Sequence, residues 1–117
     1  MKTNNVNANK VGFKADYEEE TLTFEQIGEL RGQTLLEFGA SWCPHCQASH
    51  SAVKAIFTEH SSLSHIKIAD GRGKRLGRQF KVKLWPTLIL IQDGHEVARI
   101  VRPQHSEVIR QLMSQIK

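Results

Sequence analysis

A nearly continuous apolar run, TLLEFGA from Thr34 to Ala40, leads almost at once into the only two cysteines of the chain, Cys43 and Cys46, within GASWCPHCQ. The run has the pattern of a strand buried on both faces, and Glu37 is the odd residue in it. After the cysteines the apolar period changes to 3.6. Cys46, Val53, Ile56 and Phe57 fall on one stripe, with Ala48, Ala52 and Ala55 as good helix formers between them. Pro44 suits the first helical position, where its missing N–H would lack a partner anyway. This spacing puts Cys43 at the helix N-cap and Cys46 inside the first turn.

The remaining segments extend the alternation of strand and helix. Thr21 to Leu30 predicts a short helix capped by Thr23, with Phe24, Ile27 and Leu30 at helical spacing. HIKIAD, His65 to Asp70, alternates apolar and polar residues as a strand does, and Gly73 to Phe80 predicts a short basic helix. Thr87 to Ile91 and Val97 to Val101 flank an Asp93-Gly94 turn signal and predict a hairpin. From Ser106 to Ile116, Val108, Ile109, Leu112, Met113 and Ile116 fall on one helical face. Strands alternating with helices and closing on a hairpin predict an α/β fold, a mixed sheet sandwiched by helices. At 117 residues the chain is long enough for one domain and too short for two. The polar, Asn-rich residues 1–9 read as a loose arm, and residues 10–117 as the domain.

Lys and Arg outnumber Asp and Glu by 16 to 12, unevenly. Acids cluster between Asp16 and Glu29, and Arg72 to Lys83 carries six basic residues and no acid. A net charge of +4 without interleaved aromatic residues is thin support for nucleic-acid binding; a solvated helix face beside a strand accounts for the basic stretch. No apolar run has the length of a signal peptide or a membrane span. The expectation is a cytoplasmic protein with no membrane partner, in a compartment that keeps thiols reduced.

Two thiols one helical turn apart can close on each other, grip a metal or simply pack. At a helix N-terminus, Cys43 meets unpaired N–H groups and the positive end of the helix dipole, which favour a thiolate and make it the expected nucleophile. Cys46, turned toward the core, suits the resolving role of attacking a mixed disulfide at Cys43. His45, by stabilising the Cys43 thiolate, would make the disulfide more oxidising. A metal site is disfavoured: Cys43, Cys46 and His50 supply three ligands where structural zinc takes four, and no second cysteine pair exists.

FGASWCPHCQ after a buried strand, with WPTLILIQDG some forty residues on, resembles the thioredoxin superfamily. The resemblance runs from about Thr21 onward and implies a three-layer α/β/α sandwich with a central mixed sheet. It implies that Cys43 and Cys46 are the redox pair and need no other cofactor, with Pro44 and His45 tuning it. It also implies that Trp42 packs beside the pair, that Pro86 is a cis-proline, and that Trp85, Pro86 and Thr87 border a surface where a substrate peptide pairs as a strand. Glu37 falls at the position of a buried acid that could take the Cys46 proton, through water.

Several residues depart from the family pattern. The Pro44-His45 spacer resembles that of periplasmic disulfide oxidases and isomerases, Glu37 replaces an Asp, Trp85 a small or branched residue, and Arg102 a glycine. The implied activity is thiol–disulfide oxidoreduction by a monomer that reduces protein disulfides, its partners being disulfide or dithiol proteins and an electron-donor reductase or small thiol. The alternatives are a disulfide oxidase or isomerase of an oxidising compartment and a non-enzymatic interaction module.

Overall fold

A computed structural model describes residues 11–115, so the arm expected over residues 1–9 lies outside the described residues. The elements are α1 (Phe24–Ile27), β1 (Gln33–Gly39), α2 (Pro44–Glu59), β2 (Ser64–Ala69), α3 (Arg75–Gln79), β3 (Thr87–Gln92), β4 (His95–Val101) and α4 (Ser106–Met113). Their order is the one the sequence predicts, and the differences are of extent. Helix α1 is one turn rather than ten residues, because Thr23 and Gln26 close a reciprocal capping box and the chain turns off at Gly28.

The sheet runs β2-β1-β3-β4. Strand β1 lies parallel to β2 and antiparallel to β3, and β4 pairs antiparallel with β3. A parallel pair needs a crossover, which α2 supplies between β1 and β2. Alternation along the inner strands sorts their side chains into two cores. Leu35, Leu88 and Leu90 pack with Val53 and Ile56 of α2 and Ile109 and Leu112 of α4. Leu36, Phe38, Ile89 and Ile91 pack on the other face with Ile27, Leu76 and Phe80. The result is a three-layer α/β/α sandwich in which one of the two interior strands, β1, leads into the cysteine pair.

Val108 is exposed, contrary to its expected place on the buried face of α4. The buried stripe is centred on Ile109, Leu112 and Met113, and Val108 lies on its flank; Ile116 is outside the described residues. Residues 11–20 lace along the outer side of β2. The Gly12 amide donates to Leu63 O (2.9 Å), Glu18 N to Lys67 O (2.9 Å), and Ala69 N to Glu18 O (2.8 Å). This segment covers backbone groups that an open edge would expose. It also brings the acidic run to the basic one: Glu19 pairs with Lys74, and Glu20 accepts from the Leu76 amide at 2.7 Å.

Candidate active site

Cys43 is the N-cap of α2, its backbone extended at φ −79° and ψ 120°, with Pro44 at the first helical position. Its Sγ accepts from the Cys46 amide at 3.2 Å, satisfying one of the donors that a helix start leaves unpaired. Both cysteines are free thiols and nearly inaccessible, Cys43 5% and Cys46 4% exposed. Burial, and next the contact with Cys43, push the Cys46 thiol up to about 11. A thiol so placed loses its proton only to a nearby acceptor.

Glu37 stands behind the pair. It projects from β1 toward the face that carries α2 and is 1% exposed, so its carboxylate is closed off from solvent. Both oxygens accept hydrogen bonds, Oε2 from the Tyr17 hydroxyl (2.9 Å) and Oε1 from His65 Nε2 (2.8 Å). The Lys14 amide donates to His65 Nδ1 at 2.8 Å, which makes Nδ1 the acceptor and Nε2 the protonated nitrogen of a neutral ring. Burial lowers the imidazole's affinity for a second proton, overcoming the opposite pull of Glu37. The Tyr17 ring packs against the cluster formed by Ala40, Cys43 and Cys46. Gly39 makes room for this junction: a Cβ there would stand 2.5 Å from the Tyr17 oxygen and 2.6 Å from Cys46 Sγ. Lys67, buried on β2, donates to Ala15 O at 2.7 Å and lies 4.5 Å above the Tyr17 ring.

Two tryptophans frame the outer side of the pair. Trp42 is 71% exposed and meets Trp85 edge-on at a centroid separation of 5.6 Å. The Trp85 indole donates to Asp70 Oδ2 (3.0 Å), its peptide bond to Pro86 is cis, and its ring packs beside Ala40, Cys43 and Cys46. Arg102 Nε donates to the Trp85 carbonyl at 2.8 Å, so its charge is fixed on the backbone beside the cysteines. Pro44 and His45 are exposed, and Pro86 is buried. Thr87 is also buried, its hydroxyl donating to Leu84 O at 2.6 Å; it braces the loop from within and presents no surface.

The structure thus gathers Trp42, Cys43, Cys46, Glu37, Trp85 and Pro86 at one end of the sheet. Sequence reasoning missed Tyr17, His65 and Lys67. A signal existed for the last two: HIKIAD alternates, but its polar residues are inside, where a buried acid on the adjacent strand requires partners. Tyr17 lies in a segment without periodicity and gave no signal. Among the described residues no group of three or more His, Cys, Asp or Glu side chains converges to hold a metal. No helix there is long and apolar enough to cross a membrane.

The thioredoxin family model matches residues 15–115. The chain is similar to the structure of reduced thioredoxin 2 from Pseudomonas aeruginosa, with a TM-score of 0.78 and 42% identity over 87% of this chain and 94% of that one. It is 31% identical over 83 residues to thioredoxin of Chlamydia trachomatis, covering 71% of this chain and 81% of that protein. It is 26% identical over 87 residues to thioredoxin H2 of Arabidopsis thaliana, covering 74% of this chain and 65% of that longer relative. With a Cys-x-x-Cys at the start of the helix that follows β1, and a family model that matches residues 15–115, the chain belongs to the thioredoxin family.

Proposed function

We propose that this protein is a thiol–disulfide oxidoreductase that reduces protein disulfides. The observation that carries the proposal is the asymmetry of the cysteine pair. Cys43 caps a helix and accepts a backbone N–H, whereas Cys46 is held protonated one turn deeper. Cys43 attacks a substrate disulfide, forming a mixed disulfide and releasing one substrate sulfur. Cys46, once deprotonated, attacks Cys43 Sγ; the Cys43–Cys46 bond forms, and the electron pair of the broken bond leaves on the second substrate sulfur. Glu37 is the buried carboxylate beside this exchange. A reductase or small thiol returns the pair to the dithiol.

In this reading the exposed Trp42 and the Trp85–Pro86 turn receive the substrate chain, and the protein acts as a monomer. A reducing, cytoplasmic setting is part of the proposal; it is supported by the absence of any cysteine beyond the pair, so that the fold draws nothing from structural disulfides. The purified protein should reduce insulin with dithiothreitol present, and Cys43→Ser should abolish the reaction. Full turnover by that variant would overturn the proposal. The second reading, net oxidation or isomerisation, is favoured by His45 in the spacer. Equilibration with glutathione separates the two, since a potential near the cytosolic poise supports reduction and a markedly more oxidising one supports the second reading.

A further inference from the structure

Cys46 is 4% exposed and closed off from bulk water, and the hydrogen bonds of the Glu37 carboxylate go to Tyr17 and His65. Between Cys46 and Glu37 stands a single hydroxyl. Tyr17 donates to Glu37 Oε2 at 2.9 Å, packs against the cluster of Ala40, Cys43 and Cys46, and borders with Cys46 Sγ the space left by Gly39. A phenol is donor and acceptor at once, so it can receive a proton on its oxygen while its own hydrogen leaves. The opposite side of Glu37 is fixed by His65, whose tautomer is set by the Lys14 amide, and this orients Oε2 toward Tyr17.

We propose that the Tyr17 hydroxyl is the proton relay of the resolving step, taking the Cys46 thiol proton on its oxygen as it passes its own to Glu37 Oε2. The thiolate so formed attacks Cys43 Sγ, the Cys43–substrate S–S bond breaks, and the substrate departs as a thiolate. Tyr17 ends as it began, neutral, with its O–H now directed at the Cys46 sulfur, and Glu37 holds the proton. Burial first, and then the charge of Glu37, hold the phenol above its ordinary range. A standing tyrosinate is thereby disfavoured, and the two transfers are coupled. Lys67, 4.5 Å above the ring, is the other charge facing Tyr17. Tyr17 comes from the segment that laces β2, so that segment supplies a catalytic residue as well as an edge cover. His65 acts through Glu37 and is a positioning residue.

The inference rests on the oxidoreductase reading, and an aromatic disulfide such as 5,5′-dithiobis(2-nitrobenzoate) tests the two separately. Attack by Cys43 releases the first coloured thiolate and resolution by Cys46 the second. Tyr17→Phe should leave the first phase within about twofold of wild type and slow the second at least tenfold. Glu37→Gln should slow the second similarly, and the double variant no further, since both act in one relay. A second phase at the wild-type rate in Tyr17→Phe would overturn the relay. Absence of the first phase in the wild type would instead overturn the role of Cys43. Should Tyr17→Phe fail to fold by circular dichroism, the wild-type second phase in mixtures of H2O and D2O decides. A curved dependence on deuterium fraction, from two protons moving together, supports the relay, and a straight line overturns it.

Discussion

His65 shows how one side chain fixes the behaviour of another without touching the sulfurs. It is 2% exposed, stacks on Phe57 at 4.6 Å, and is locked between the Lys14 amide and Glu37. A proton on Nδ1 would oppose the Lys14 N–H, and Lys67 and Lys14 add like charge. The folded imidazole therefore titrates below its unfolded value. The unfolded chain takes up a proton below about pH 6.5 that the folded chain refuses. Stability present above that pH is lost as the pH falls from there through the folded value. The urea midpoint should accordingly drop between pH 7.5 and pH 5, and His65→Gln, which keeps a donor for Glu37, should show a smaller drop. Identical pH dependence in the two proteins would remove His65 as the cause.

At the scale of elements, local signals and their limits separate cleanly. The hairpin was legible because Asp93 and Gly94 both take positive φ, 49° and 84°, the requirement of a tight two-residue turn. Its docking was not legible: a Cβ on Gly94 would fall within the carbonyl of Gly28, where α1 ends. Gly94→Ala should thus cost about 1–2 kcal/mol for the left-handed conformation and about 1–3 kcal/mol for the overlap. Denaturant unfolding reads this directly, and stability near that of the wild type would contradict the packing. In the same way, α2 was legible through its period and Pro44, but Tyr17, which completes its site, sits in an aperiodic segment. The alternation of β2 was legible as a strand, yet its polar side was buried under that segment and Phe57 of α2 rather than turned to water. Residues within a turn of each other set the elements; which faces are covered depends on what packs from elsewhere.

Across the whole molecule, the covered edge of β2 joins stability to chemistry. Removal of residues 1–20 should expose that edge and delete Tyr17 together. The shortened chain is expected to self-associate in sedimentation velocity as concentration rises, and its resolving phase should be slow in the monomer fraction. A concentration-independent monomer that resolves at the full rate would show that the segment does neither. Short-range signals in the chain suffice for the order of strands and helices, the placing of Cys43 at a helix N-cap with Cys46 one turn in, and the hairpin. Each of these follows from hydrogen bonds and apolar periods that close over a few residues. What surrounds the sulfurs is set by contacts between segments far apart in the chain. Tyr17 reaches Glu37 across 20 positions, His65 across 28, and Arg102 reaches the Trp85 carbonyl across 17. A buried polar group must be paired, but its partner is chosen by strand register and by the path of a loop along an edge, and neither has a local period to read.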